Sequence, residues 1–175
     1  MIKVLVNGAC GRMGQAVLQA VLADSDLELA AAVDRKQGVK VSELLGGTDT
    51  DIVVENDLAA AIAATKPEVM VDFTQPAVVY ENAVTAVKAG VAAVIGTTGL
   101  TEENRESLAK LAAEYETPVF IAPNFAIGAV LLMQMAQQAA KYMPDVEIIE
   151  LHHDRKLDAP SGTALRTAEL IKKVR

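Results

Sequence analysis

Three glycines near the N-terminus are spaced for holding a phosphate group. Gly8, Gly11 and Gly14 follow an apolar run at residues 2–6 and precede apolar residues at helical spacing. In a strand–turn–helix unit, Gly8 permits the tight turn, Gly11 lets backbone N–H groups approach a pyrophosphate, and Gly14 lets the helix pack closely. The pattern predicts a dinucleotide site, and the alternative is a tight turn that holds no ligand.

An acidic residue stands where a dinucleotide site needs one. Asp34 follows the second apolar run, residues 27–33, and lies twenty residues after Gly14. Its carboxylate is placed to accept the ribose hydroxyls of the adenosine half. The neighbouring Arg35 offers a guanidinium for the 2′-phosphate of NADPH, so we expect both NADH and NADPH to bind. Cys10, inside the turn, is interpreted as a small residue facing the cofactor.

A second group of reactive side chains lies at residues 152–163. His152 and His153 are adjacent, and since successive strand residues point to opposite faces, both reach one site only where the strand ends. Lys156 can hold a carboxylate or deliver a proton. Gly162 and Thr163 open a helix whose free N–H groups can bind a second carboxylate. A solvated loop is the alternative, and a zinc site is disfavoured because a third ligand is missing.

The elements between these groups alternate strand and helix. The apolar runs predict strands at residues 2–6, 27–33, 68–73, 91–95, 119–122 and 146–151, with a short one at 52–54. Helices are expected between them, with Asp57 and Thr101 as caps and Pro76 in a first turn. This alternation predicts an α/β fold with a doubly wound parallel sheet of the Rossmann type. Thr74, Gln75 and residues 96–99 and 123–125 all follow strands and should line one rim.

Composition narrows the class of protein. Hydrophobic residues make up 51% of the 175 residues, enough for a sizeable core, and aromatic residues only 3%. The net charge of −7 and the scarcity of aromatic side chains make nucleic acid an unlikely partner. The single cysteine excludes an internal disulfide, and no apolar run is long enough to span a bilayer. We therefore expect a cytoplasmic protein without metal, membrane or nucleic-acid partners.

Four motifs together resemble the dihydrodipicolinate reductase family. They are V-N-G-A-C-G-R-M-G at residues 6–14, G-T-T-G at 96–99, P-N-F at 123–125 and E-L-H-H-D-R-K-L-D-A-P-S-G-T-A at 150–164. The resemblance implies an NAD(P)H-dependent reductase of 4-hydroxy-tetrahydrodipicolinate, a cyclic imine dicarboxylate of the diaminopimelate route to lysine. It also implies a homotetramer. The alternatives are a non-catalytic NAD(P)-binding module and another NAD(P)-linked dehydrogenase of a small acid.

The resemblance also implies residue roles. The pyrophosphate would be held by Gly8, Ala9, Cys10, Gly11, Arg12 and Met13, and the ribose by Asp34. The nicotinamide end would lie between two loops, Gly96, Thr97 and Thr98 on one side and Ala122, Pro123, Asn124 and Phe125 on the other. His152 and Lys156 would handle the proton, with His153, Gly162 and Thr163 on the substrate.

The chain is shorter than the family pattern. We expect residues 1–126 to form the dinucleotide-binding domain and residues 127–175 part of an α+β substrate-binding domain. Since one strand at residues 146–151 cannot form a sheet by itself, we expect the C-terminal segment to be mobile or ordered by a neighbouring copy. Catalysis by the short chain is expected to be weak or absent.

Overall fold

The computed structural model describes residues 1–122, 124–143, 145–152 and 159–175. They form two compact units, Met1–Ile121 and Ala122–Arg175. All the strands of the described residues belong to the first unit. Among the described residues, no helix has both the length and the apolarity that crossing a bilayer requires.

The first unit is built on a five-stranded parallel sheet, which confirms the predicted doubly wound fold. Its strands are β1 (Ile2–Asn7), β2 (Leu27–Val33), β3 (Val69–Asp72), β4 (Ala92–Ile95) and β5 (Val119–Ile121). Their order in the sheet is β2-β1-β3-β4-β5, and every pair is parallel. Because all five strands are parallel, their carboxyl ends share one edge of the sheet.

Helices cover both faces of this sheet. The first unit contains α1 (Arg12–Ala23), α2 (Val41–Leu44), α3 (Leu58–Thr65), α4 (Val79–Lys88) and α5 (Glu102–Glu114). Successive residues of β1 point to opposite faces, so Leu5 packs into one buried cluster with α3, α4 and α5. Val4 and Val6 pack into the other cluster, with α1 and α2. Both cores therefore lie within residues 1–121.

Local sequence signals set several boundaries as predicted. Asp57 caps α3 by accepting the N–H of Ala60 at 3.0 Å, and Thr101 caps α5 by accepting that of Asn104 at 3.1 Å. Two details differ. Helix α4 begins at Val79, after a turn that contains Pro76, and residues 52–54 make a single isolated bridge, between Lys40 and Val53.

The second unit contains two packed helices, α6 (Ile127–Ala139) and α7 (Gly162–Lys172). The strand predicted at residues 146–151 is wrong: residues 145–152 contain no strand. A strand needs a partner for its backbone groups, and the described residues of this unit supply none. Ile149 and Leu151 are accordingly 77% and 92% exposed.

Candidate functional site

The predicted glycine turn joins β1 to α1 and is fixed to the end of β2. The N–H groups of Gly8 and Ala9 both donate to the carbonyl oxygen of Val33, at 2.8 and 3.1 Å. The N–H of Gly11 donates to the carbonyl of Gly8 at 3.1 Å, which closes the turn. Gly11 caps α1 without a side-chain hydrogen bond, and the first turn of this helix has no acidic residue. The first N–H groups of α1 and the positive end of its dipole therefore suit an anion.

Two of the glycines are required by contacts. Gly8 has a φ of +85°, a conformation that side chains disfavour, and a Cβ on it would press against the backbone of Phe73. A Cβ on Gly14 would overlap the carbonyl oxygen of Gly8. Gly14 thus lets the start of α1 lie directly on the turn, as the spacing predicted.

Asp34 connects the glycine turn to the segment after β2. Its Oδ2 accepts the N–H of Cys10 at 3.0 Å, and its Oδ1 accepts the N–H of Lys36 at 3.2 Å. The N–H of Asp34 itself donates to the carbonyl of Glu55 at 2.9 Å. The carboxylate is therefore held in place with lone pairs still available, because each oxygen accepts more than one hydrogen bond.

A cavity of about 510 Å³ opens beside the turn. Five predicted cofactor residues line it: Gly8, Cys10, Gly11, Asp34 and Arg35. The remaining lining residues come from β1, β2 and the segments after β2 and β3, and from the starts of α3 and α4: Asn7, Val33, Lys36, Asn56, Leu58, Phe73, Thr74, Gln75, Val78 and Asn82. This volume lies within the range of ligand sites. Lys36 was missed by the sequence analysis, although a second cation directly after Asp34-Arg35 was a visible signal.

Other predicted cofactor residues of the first unit do not line this cavity. Ala9 is buried in the core, whereas Arg12 and Met13 are exposed in the first turn of α1. Gly96 and Thr98 lie in the loop after β4, and the buried Thr97 in the same loop donates from Oγ1 to Asp72 Oδ1 at 2.8 Å.

Cys10 has a perturbed thiol. Burial raises the pKa of the Cys10 thiol above its ordinary value, and the Asp34 carboxylate raises it further, while the Lys36 cation acts in the opposite direction. The side chain is half-buried on the cavity wall, as expected for a small residue facing a ligand.

In the second unit the structure joins two predicted site residues. Asn124 Nδ2 donates to Thr163 Oγ1 at 3.0 Å, and Asn124 Oδ1 accepts the N–H of Ala126 at 2.7 Å. A residue predicted for the cofactor thus touches one predicted for the substrate. Ala122 and Phe125 flank this contact along the chain, and Gly162 is the first residue of α7.

The start of α7 already holds a carboxylate of the same chain. The N–H of Ser161 donates to both carboxylate oxygens of Glu150 at 3.0 Å, and Ser161 Oγ accepts the N–H of Ala164 at 3.1 Å. His152 Nδ1 lies 4.0 Å from Glu150 Oε1. Glu150, which begins the E-L-H-H motif, was not predicted as a site residue. The start of α7 therefore binds a carboxylate group through the backbone N–H of Ser161.

Some predictions fall outside the described residues. Pro123, His153 and Lys156 are among them, so their placement stays a prediction. Within the described ranges, no group of three or more His, Cys, Asp and Glu side chains is arranged to hold a metal ion.

The comparisons with known proteins match both units. A family described as dihydrodipicolinate reductase, N-terminus, matches residues 2–125, and the C-terminus of the same reductase matches residues 128–175. The chain belongs to the dihydrodipicolinate reductase family. The resemblance inferred from the four motifs is thereby confirmed.

Relatives of this family cover almost the whole chain. The 4-hydroxy-tetrahydrodipicolinate reductase of Syntrophomonas wolfei is 56% identical over 97% of this chain and 64% of its own length. That of Listeria welshimeri is 51% identical over 97% of this chain and 65% of its own length. The dipicolinate-bound dihydrodipicolinate reductase of Paenisporosarcina sp. TG-14 superposes with a TM-score of 0.81 and 44% identity, over 100% of this chain and 67% of its own. The chain spans about two thirds of the length of these reductases.

Proposed function

We propose that this chain is the cofactor-binding part and a portion of the substrate-binding part of a 4-hydroxy-tetrahydrodipicolinate reductase. The reaction converts 4-hydroxy-tetrahydrodipicolinate to tetrahydrodipicolinate, with NADH or NADPH as reductant, in diaminopimelate and lysine biosynthesis. One observation carries the proposal: a cavity at the carboxyl edge of the sheet, lined by the glycine turn and Asp34, lies in a chain that the reductase family matches on both units.

The residues of the first unit fit a dinucleotide. A Cβ on Gly8 would clash with the backbone of Phe73 and one on Gly14 with the carbonyl of Gly8. The start of α1 lacks a competing acid, and Asp34 retains acceptor capacity. We assign the pyrophosphate to the turn from Gly8 to Met13 and the adenosine ribose to Asp34. Arg35 is assigned to the 2′-phosphate when NADPH is bound. The loops at residues 96–98 and 122–125 are assigned to the nicotinamide end, as in the family motif.

The second unit fits a dicarboxylate. Gly162 and Thr163 are first-turn residues with N–H groups suited to a carboxylate, and the neighbouring Ser161 N–H, which donates to Glu150, supports this assignment. The relative from Paenisporosarcina was solved with dipicolinate, which carries two carboxylates on a flat ring. We assign Gly162, Thr163 and His153 to substrate carboxylates.

The proposed chemistry adds a hydride and a proton and removes the 4-hydroxyl group as water. When bound, NAD(P)H supplies the hydride to an electron-poor carbon of the conjugated imine. This chain's own residues orient the ring through its carboxylates and deliver the proton. We assign proton delivery to Lys156 and His152, following the family motif.

The division at residues 126 and 127 is part of the same proposal, with a dinucleotide-binding domain before it and a partial substrate-binding domain after it. We also propose a cytoplasmic homotetramer. Exposed apolar side chains on α6, such as Leu132 and Met135 at 65% and 64% exposure, support association. Light scattering of the full-length protein tests the assembly, and a monomer would reject it.

The activity is tested in a protein of the relatives' full length. Cofactor oxidation is followed after enzymatically generated 4-hydroxy-tetrahydrodipicolinate is added. Lys156→Ala and His152→Ala should each lower turnover by roughly 10²–10⁴, with cofactor affinity nearly unchanged. The matched control is Lys110→Ala, on an exposed position of α5. Normal turnover by Lys156→Ala would show that its segment is a solvated loop, and no turnover by the unaltered protein would reject the reductase.

A further inference from the structure

Asp72 is a fully buried carboxylate that the glycine-turn site does not explain. It ends β3 with 0% exposure. Its two oxygens accept five hydrogen bonds, from Asn7 Nδ2, Asn82 Nδ2, Thr97 Oγ1 and both the N–H and the hydroxyl of Thr74, at 2.7–3.0 Å. All these donors are uncharged. Burying a carboxylate is unfavourable unless it is fully hydrogen-bonded, so the donors around Asp72 form a built polar centre.

The partners of Asp72 come from separate parts of the carboxyl edge. Asn7 ends β1 and directly precedes Gly8, Thr74 follows β3, and Thr97 lies in the loop after β4. Asn82 belongs to α4. One side chain thus links the glycine turn, the β3 loop, the β4 loop and a helix on one face of the sheet.

The contacts of Phe73 tie the same loops together. A Cβ on Gly8 would press against the carbonyl group of Phe73, and one on Gly96 would overlap the Phe73 ring. The β1 turn and the β4 loop therefore both lie against the residue that follows Asp72. The position of the β4 loop relative to the glycine turn depends on this centre.

A neutral amide does not offer the same acceptors as the carboxylate. A carboxylate only accepts, whereas an asparagine side chain has one NH₂ group. In the position of Oδ1 that group would meet the backbone N–H of Thr74. In the position of Oδ2 it would be accommodated only if the Asn7 and Asn82 amides turned over to present their oxygens. Asp72→Asn keeps the shape of the side chain and disrupts the pattern of donors and acceptors.

We propose that Asp72 is a positioning residue of the dinucleotide site, which fixes the loop after β4, and with it the nicotinamide half of the cofactor, relative to the glycine turn. The inference rests on the proposed function, since that function assigns the loop at residues 96–98 to the nicotinamide end. Asp72 acts through Thr97 and Thr74 and is assigned no contact with the cofactor. Its loss should affect the two halves of the dinucleotide differently.

Calorimetry with NADH and with ADP-ribose distinguishes binding of the nicotinamide half from binding of the adenosine half. NADH engages the whole site, whereas ADP-ribose lacks the nicotinamide ring and engages only the glycine turn and Asp34. In Asp72→Asn, NADH affinity should fall by on the order of tenfold, because misplacement of a binding loop is costly, and ADP-ribose affinity should change much less. Equal losses for both ligands, or no loss of NADH affinity in the folded variant, would overturn the proposal.

Thr97→Val gives the second measurement and answers the question if Asp72→Asn does not fold. It removes only the hydroxyl that reaches Asp72, from a nearly buried side chain of the same shape. In Thr97→Val we expect a smaller loss of affinity, confined to NADH, and Thr97→Ser, which keeps the hydroxyl, should bind NADH more tightly than Thr97→Val. The double variant Asp72→Asn/Thr97→Val should bind NADH no more weakly than Asp72→Asn alone. Unchanged NADH affinity in Thr97→Val would overturn the proposal that Asp72 fixes the loop after β4 through Thr97.

Thr117→Val is the matched control. This buried threonine donates to the carbonyl of Tyr115 at 2.9 Å, far along the chain from the site. Thr117→Val should leave the ratio of NADH affinity to ADP-ribose affinity unchanged. A shift of that ratio would mean that the loss in Asp72→Asn reflects general destabilisation, and it would overturn the proposal. If the unaltered chain binds neither ligand, the proposed function fails and the positioning role falls with it. Binding of both ligands with an unshifted ratio in Asp72→Asn rejects the positioning role alone.

Discussion

Arg35 and Lys36 place two cations on the wall of the cavity, directly after the carboxylate assigned to the ribose. Arg35 is exposed, so water would partly screen the proposed contact with a 2′-phosphate. Arg35→Ala should therefore weaken NADPH by roughly three- to tenfold more than NADH. Parallel titrations of the two cofactors measure this, with Lys40→Ala, an exposed lysine outside the cavity wall, as the control. An equal effect on both cofactors would remove Arg35 from the phosphate site.

The pKa of the Cys10 thiol depends on the charge of Asp34. The carboxylate raises the pKa of the thiol, so at a pH below that pKa it lowers the reactive thiolate fraction. Asp34→Asn removes the charge and should lower the pKa, which speeds alkylation at neutral pH by roughly two- to tenfold. Asp26→Asn, an exposed carboxylate elsewhere, should leave the rate unchanged. A rate unaffected by Asp34→Asn, measured across a pH series, would contradict the electrostatic assignment.

Helix α1 packs closely against the glycine turn because Gly14 has no side chain. A Cβ on Gly14 would overlap the Gly8 carbonyl, whereas one on Gly128, in the first turn of α6, would meet nothing within 4 Å. Gly14→Ala should lower the free energy of unfolding by about 1–3 kcal/mol and weaken cofactor binding. Gly128→Ala should be neutral or stabilising by up to about 1 kcal/mol. Chemical denaturation compares the two, and similar effects would mean that the turn adapts to the methyl group.

Elements governed by local signals were predictable from the sequence. Strand β2 occupies the expected residues and helix α3 begins after the expected Asp57 cap, because an apolar run and a cap are properties of neighbouring residues. Residues 146–151 have the apolar content of a strand, but strand formation depends on a partner that the run itself does not encode.

In the candidate site too, residues with a local sequence signal were predictable, whereas contacts made by the folded chain were not. Gly8, Gly11 and Asp34 follow a spacing with a direct physical meaning, and the structure places them on one cavity. The hydrogen bonds around Asp72 assemble residues 7, 74, 82 and 97, so only the folded sheet brings them together. Glu150 was missed for the same reason, since its partner Ser161 is eleven residues away in the sequence.

At the scale of the whole chain, apolar burial is unequal between the two units. Both core clusters belong to residues 1–121, whereas the buried apolar residues described in the second unit are Met133, Ala140 and Ile171. Residues 1–126 should therefore fold and bind NAD(P)H as a unit. In hydrogen exchange, amides of β1, β3 and β4 should be protected longest and those of α6 and α7 should exchange faster. Equal protection of both units would show that they unfold together.

The central claim is that the glycine turn and Asp34 bind a nicotinamide dinucleotide, and calorimetric titration of this chain with NADH and with NADPH tests it most directly. We predict saturable binding of one dinucleotide per chain for both. The two affinities should lie within about one to two orders of magnitude of each other, because one charge-assisted contact contributes ~1.5–3 kcal/mol. Binding should be lost or strongly weakened in Gly14→Ala. Absence of binding of either dinucleotide, by a chain shown to be folded by circular dichroism, would contradict the account.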